Sequence, residues 1–185
     1  HEMHLWPRFH SSVRRCLSGQ EPDVEQASQP LTPNMKAVQN AILQCLDLCL
    51  KEIRKVARVD MSGIHVEKAL ERNFDATLRR QLDPLWHRIG KKGRQLYNDV
   101  RILRRLLKFL LERDSAFFLN LIDNVKAECS RGGITPSMWL LTEEAESLLK
   151  HATARVYTVI RNRQMLPENI AVHLEPCAKR DLLFS

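Results

Sequence analysis

The chain has 185 residues, 44% of them hydrophobic and 28% charged, and its 29 Lys plus Arg against 22 Asp plus Glu give a formal net charge of +7. That is the composition of a soluble globular domain, and at this length folding removes roughly 70% of the extended-chain surface from water, enough for one core. Six Gly and eight Pro exclude a low-complexity or collagen-like chain, and no stretch approaches the ~20 uninterrupted apolar residues of a membrane span.

The first residues, His1-Glu2-Met3-His4, lack the apolar core of a secretory signal, and an internal stretch of a larger protein fits them equally well. Residues 18–33, from Ser18-Gly19 through Pro22, Pro30 and Pro33, read as a connector, and the expected division is 1–31, a helical domain over 32–157 and an extension over 158–185. Thr32 before Pro33 offers a hydroxyl N-cap followed by proline at the first helical position. From Pro33 to about Arg58, Met35, Val38, Ile42, Leu46, Ile53 and Val56 recur at helical spacing. Leu43, Leu48 and Leu50 widen the apolar sector, which predicts a helix enclosed on more than one side.

Met61-Ser62-Gly63 interrupts the pattern, with Ser62 placed to cap a short helix over Ile64–Arg72. Asn73-Phe74-Asp75 opens another, which Pro84 kinks or restarts on the way to Trp86. Gly90 and Gly93 bracket Lys91-Lys92 in an expected turn, followed by a long helix from about Arg94 to Arg113 and a further one over Ser115–Cys129. Arg131-Gly132-Gly133 to Pro136 reads as a loop. Thr142, with Glu143 and Glu144 behind it, starts the last strong helix, running to about Tyr157. With no period-2 strand and no internal repeat, the expected fold is all-α, an irregular bundle of about five to six helices.

The five cysteines (Cys16, Cys45, Cys49, Cys129 and Cys177) are odd in number, scattered and without a Cys-x-x-Cys pair, which argues for a reducing compartment over a disulfide framework. Cys45 and Cys49 lie four apart in an apolar helical run and read as two small buried hydrophobes.

The positive charge is local. Between Arg79 and Arg113 stand eleven basic residues and three acids, a net +8, which leaves the rest of the chain at −1. On a helical wheel, Arg101, Arg105 and Lys108 fall within about 40° of Arg94, with Leu96, Val100, Leu103, Leu107 and Leu110 opposite. The stripe from Arg94 to Lys108 is about 21 Å long at 1.5 Å per residue, a length over which one strand of B-DNA presents some six phosphates. Such contacts give affinity and orientation without a base code. Simple solvation of an exposed face explains the same pattern from spacing alone. The width of the apolar sector favours packing inside a protein over a membrane-surface or calmodulin-target helix.

No catalytic constellation emerges. Gly90-Lys91-Lys92-Gly93 lacks phosphate-loop spacing, and the seven histidines show no i, i+4 pair. Glu143, Glu144 and Glu146 are explained by the helix dipole. Glu112-Arg113-Asp114 invites a nuclease reading, but its flanks continue no metal-dependent pattern.

Several segments together resemble the XPF family of structure-specific DNA repair endonucleases. They are Leu5-Trp6-Pro7-Arg8-Phe9-His10, Ala41-Ile42-Leu43 leading to Cys49-Leu50-Lys51-Glu52, and Leu82-Asp83-Pro84-Leu85-Trp86-His87. Arg101-Ile102-Leu103-Arg104-Arg105-Leu106-Leu107, Phe118-Leu119-Asn120-Leu121 and Ala154-Arg155-Val156-Tyr157 follow in the same order. The resemblance spans about 5–157 and falls on the helical domain inserted between the two RecA-like lobes of the family's degenerate helicase-like module. It implies that 1–31 connects from the preceding lobe and that 158–185 leads towards the second.

For the parent protein the resemblance implies cutting of duplex DNA near single-strand junctions, in nucleotide excision repair, crosslink repair and recombination. It also implies a nuclear location, a divalent metal (Mg or Mn) at a C-terminal nuclease signature, and a heterodimer with a non-catalytic subunit. That signature, Glu-Arg-Lys-x-x-x-Asp, is absent here because Asp114 follows Glu112-Arg113, so no activity and no cofactor are expected of this chain itself.

Two roles remain open. In one, Arg79, Arg80, Arg88, Lys91, Lys92, Arg94, Arg101, Arg104, Arg105 and Lys108 contact branched or junction DNA. In the other, the apolar helix around Leu43, Leu46 and Cys49 docks repair scaffold or recruitment proteins, with core packing as the plainer explanation of those side chains. Trp6, Trp86 and Trp139 can stack on bases, but their apolar or Pro neighbours favour packing.

Overall fold

The structure, a computed structural model, describes residues 5–18, 24, 26, 28–58, 63–131, 137–161 and 167–176. Its helices are α1 (Ser11–Leu17), α2 (Pro33–Ala57), α3 (Phe74–Leu82), α4 (Gly90–Glu112), α5 (Ser115–Arg131) and α6 (Glu143–Ala154). Short 3-10 turns lie at Val66–Leu70, Asp83–Leu85 and Met138–Leu141, and strands β1 (Tyr157–Arg161) and β2 (Pro167–Val172) follow α6. The architecture is the expected all-α irregular bundle, with one small antiparallel hairpin at its end.

α2 is the axis of the bundle. Thr32 Oγ1 accepts from the Met35 N–H at 3.1 Å, and Pro33 occupies the first turn. Met35, Val38, Ala41, Ile42, Cys45, Leu46, Cys49, Leu50 and Ile53 are all buried, a doubled i, i+3/i+4 pattern that gives the helix two apolar sides. Those sides pack against α4 and α6, while α5 closes the core between α4 and α6. Burial pushes the Cys45 thiol up to about 11 and the Cys49 thiol up to about 12, the behaviour of small core hydrophobes. α2 ends at Arg58, whose left-handed φ of 51° turns the chain away, and Arg54 donates to the Ile64 carbonyl to anchor the return.

The stretch expected as a helix over Ile64–Arg72 is a 3-10 turn of five residues; the Ser62 cap assigned to it lies outside the described residues, as do the loop over Gly132–Pro136 and Cys177. Pro84 restarts the chain as the 3-10 turn after α3.

The expected turn across Gly90–Gly93 is the first turn of α4. Gly90 supplies a φ of +60° for the bend into the helix, a conformation glycine adopts without cost. Gly93 is there for space: a Cβ would sit 2.7 Å from Ile89 Cβ. α6 begins as expected, with Thr142 Oγ1 accepting from the Ala145 N–H at 3.3 Å and donating to the Trp139 carbonyl at 2.7 Å.

The hairpin corrects the strand-free reading. Tyr157 pairs with Val172 and Val159 with Ile170; the Thr158-Val159-Ile160 run suits a pleated conformation, and Pro167 stands at the first position of its strand, where a missing N–H is tolerated. Beyond β2 the chain returns to the bundle. His173 and Glu175 donate backbone N–H groups to the carbonyls of Val156 and Arg155 at 2.7 and 2.8 Å. Glu175 also pairs with the buried Arg155 guanidinium, which lies 5.6 Å from the Phe118 ring. Among the described residues no helix is long and apolar enough to cross a membrane.

Candidate nucleic-acid interface

α4 carries the site because its two faces are sharply different. Leu96, Val100, Leu103, Leu106, Leu107 and Leu110 are buried against the bundle, which fixes the rotation of the helix and turns the opposite face outward. On that face Arg94, Arg101, Arg105 and Lys108 are exposed. Their guanidinium and ammonium groups occupy one line along the helix, as the i, i+7, i+11, i+14 spacing requires.

Beside this line runs an open groove of about 880 Å³, between the 3-10 turn Val66–Leu70 and α4. Arg72, Arg101, Arg104, Arg105 and Lys108 line it, with only Asp75 and Glu112 as acids. Both acids are engaged: Asp75 is ion-paired to Arg104, and Glu112 faces Lys108 at 4.0 Å across an exposed i, i+4 spacing. The second contact is long and solvated, so it contributes little and yields readily to a phosphate. Arg101 has no hydrogen-bonding or ionic partner among the described residues.

Of the ten basic residues singled out from the sequence, four line the groove. Arg101, Arg105 and Lys108 line the groove, and Arg94 extends their row, its guanidinium 5.7 Å from the Trp86 ring. Arg104 also lines the groove but is engaged within the fold. Its side chain is only 13% exposed and pairs with Asp75, and its guanidinium donates to the carbonyls of Ala69 and Glu71 at 2.6 and 2.7 Å. It also lies 5.0 Å from the Phe74 ring. Four interactions, with Ala69 of the Val66–Leu70 turn, with Glu71 just beyond it and with Phe74 and Asp75 of α3, make it a structural tie with little capacity left for a ligand.

Lys92 reaches across to α2, where it donates to Glu52 at 3.3 Å; bonds from Lys55 and Lys92 hold the Glu52 carboxyl below the usual carboxylate range. Arg79 and Arg80 sit exposed on the last turn of α3, Arg79 3.7 Å from Asp83. Arg88 and Lys91 are exposed at the entry to α4. None of these five lines the groove. Arg72, which does, was missed because it stands outside the dense basic run; only the return of the Val66–Leu70 turn to α4 brings it in.

The apolar residues offered for docking take the plainer of their two readings, core packing. Leu46 and Cys49 are buried in the core at 0% and 2% exposure, and Leu43 is half-buried, so this face of α2 is spent on the bundle. Of the tryptophans, Trp139 is buried, Trp86 packs edge-on to Tyr97 at 5.6 Å, and Trp6 stacks on His10 at 4.0 Å while 55% exposed.

The Glu112-Arg113-Asp114 triplet serves the fold. Asp114 Oδ1 accepts from the Phe117 N–H at 2.7 Å and caps α5, Glu112 faces Lys108, and Arg113 lies over Phe109 and Phe117. Among the described residues no three His, Cys, Asp or Glu side chains converge to hold a metal ion.

No protein-family model matches the chain. Individual relatives do. It is 36% identical over 160 residues to the DNA repair endonuclease UVH1 of Arabidopsis thaliana, a match covering 86% of this chain and 16% of the relative. It is 40% identical over 159 residues to the DNA repair endonuclease XPF of Mus musculus, covering 85% and 17%. With the DNA repair protein RAD1 of Saccharomyces cerevisiae it shares 33% over 174 residues, covering 89% and 16%. The chain thus spans about a sixth of the length of these relatives.

Proposed function

The chain belongs to the XPF family of DNA repair proteins, and from that premise we propose that it is a non-catalytic helical module that holds branched or junction DNA by its phosphates along α4. The observation that carries this reading is the exposed row Arg94, Arg101, Arg105 and Lys108 beside a groove whose two acids are already engaged. The row extends about 21 Å, the length of some six phosphates of one strand, and it lies on a helix whose rotation is locked by its buried leucines. Contacts of this kind position a substrate and are indifferent to its sequence.

In the longer polypeptide, the cutting reaction named for the relatives belongs to residues outside this chain. Structure-specific cleavage assisted by a divalent metal, pairing with a non-catalytic subunit, recruitment by repair scaffolds and a nuclear role in excision repair, crosslink repair and recombination are parts of the same proposal. The structural use of Glu112, Arg113 and Asp114 supports assigning no catalytic step to the one nuclease-like triplet present.

The test is triple charge reversal, R101E/R105E/K108E, in fluorescence anisotropy with a fluorescein-labelled forked DNA at low salt. All three side chains are exposed, so the variant is expected to keep its urea midpoint and to lose affinity on the order of 100-fold. Unchanged binding to the fork by a folded variant contradicts the proposal.

A further inference from the structure

At the C-terminal end of the basic row the chemistry of the surface changes. Phe109 lines the same groove as Arg105 and Lys108, and the Arg105 guanidinium carbon lies 5.4 Å from its ring centre. Phe117, in the first turn of α5, meets Phe109 edge-on with centroids 5.8 Å apart and planes at 84°. Arg113 bridges the two, 5.8 Å from Phe109 and 5.3 Å from Phe117. Asp114 fixes the geometry, since its cap on the Phe117 N–H sets where α5 starts and hence where that ring points. Phe117 nevertheless keeps 43% of its surface in water.

An exposed aromatic ring beside an arginine is costly as mere surface. Its apolar area is left unburied, and a core role is filled next to it by Phe118, which is fully buried. The combination of a cationic row that tracks a backbone with an aromatic ring at its end is the chemistry of single-strand recognition: cations take the phosphates and the ring takes the flat face of an unpaired base. A duplex offers phosphates to the same row but no free base face to the ring.

We propose that Arg105, Phe109, Arg113 and Phe117 form a stacking site for one unpaired base, so that this surface binds single-stranded DNA in preference to duplex. The proposal rests on the phosphate-binding reading of α4 and adds to it the strandedness of the ligand. A strand lying along the row runs from the Arg94 end towards Phe117, with its backbone on Arg101, Arg105 and Lys108 and one base turned onto Phe117. Arg113 then contributes a cation–π contact to the stacked pair.

The experiment compares fluorescein-labelled dT12 with a 12-base-pair duplex, in anisotropy titrations against the full chain and two variants. Phe117→Leu keeps an apolar side chain of similar reach but has no π face; Phe117→Trp enlarges that face and adds a fluorophore. With Phe117→Leu, affinity for dT12 is expected to fall about tenfold while affinity for the duplex stays within about twofold. With Phe117→Trp, dT12 affinity is retained and the indole emission is quenched on binding by more than that of the native chain, whose Trp86 lies beside Arg94. Equal losses on dT12 and duplex, or no loss on dT12, overturn the stacking site. Failure of the underlying reading looks different: R101E/R105E/K108E would then leave both ligands bound as before.

Discussion

Asp99 is fully buried on α4, in the middle of the most basic stretch of the chain. Ser137 Oγ donates to its Oδ1 at 2.7 Å and Gln95 Nε2 at 3.1 Å, while Oδ2 has no hydrogen-bond partner among the described residues. Burial raises its carboxyl above the ordinary range, and the two hydrogen bonds only partly offset that. The sign of the consequence follows from linkage: a carboxyl whose folded pKa exceeds its unfolded value of about 3.9 binds its proton more tightly in the native state. Its contribution to stability is full below pH 4 and is lost as pH rises through the folded value. Asp99→Asn is therefore expected to be at least as stable as the native chain at pH 7.5 and to lose that advantage near pH 4, by urea unfolding at both values. A loss above about 2 kcal/mol for Asp99→Asn at pH 7.5 would show that the charged form is the one the core holds. The position was legible: on the wheel that placed the basic row, Asp99 falls at about 140° from Arg94, on the side of Leu96 and Leu103. The charge count over this stretch takes Asp99 only as one of three acids and says nothing of its burial.

Between elements, Arg104, which the sequence offers to DNA, is engaged within the fold. It ties α4 to the Val66–Leu70 turn and to α3 through Asp75 and the carbonyls of Ala69 and Glu71. Removing it leaves backbone acceptors and a carboxylate without their donor, so Arg104→Ala is expected to cost about 2–4 kcal/mol of unfolding free energy. Arg101→Ala should stay within about 0.5 kcal/mol. Equal effects in urea titrations would contradict this division of roles. The same wheel puts Arg104 about 80° off the row, at the margin between solvent and core, where only the neighbouring turn decides its partner. Helix starts were far more legible, because Thr32-Pro33 and Thr142-Glu143-Glu144 carry their capping chemistry locally. Gly90-Lys91-Lys92-Gly93 misled for the opposite reason. Two glycines so close read as a turn, whereas one supplies a bend and the other makes room for Ile89. The hairpin was missed because its strands, five and six residues long, do not alternate clearly, and β1–β2 pairing depends on a partner that local pattern does not reveal.

At the scale of the molecule, α2 is consumed by packing against α4 and α6, and α4 is left with one face for everything else. The all-α bundle, the central helix and the outward basic row were all readable from periodicity. The groove beside the row was not, since it depends on where the Val66–Leu70 turn returns to α4. Phe117 likewise gained meaning only when its ring was placed against Phe109 and Arg113. The basic residues of α4 thus divide into ties within the fold, such as Arg104 and Lys92, and an exposed row whose contacts, Lys108 to Glu112 and Arg94 to the Trp86 carbonyl, are long and solvated. Only the second group should release counterions when a polyanion binds.

The salt dependence of binding measures that row directly. If Arg94, Arg101, Arg105 and Lys108 each neutralise one phosphate of a duplex arm, log K against log salt has a slope of about −3.6, or some 150-fold weaker binding from 50 to 200 mM salt. The triple neutral variant R101Q/R105Q/K108Q is expected to retain a slope of about −0.9, with its unfolding midpoint unchanged. A variant slope equal to that of the native chain would contradict the assignment of DNA contact to α4.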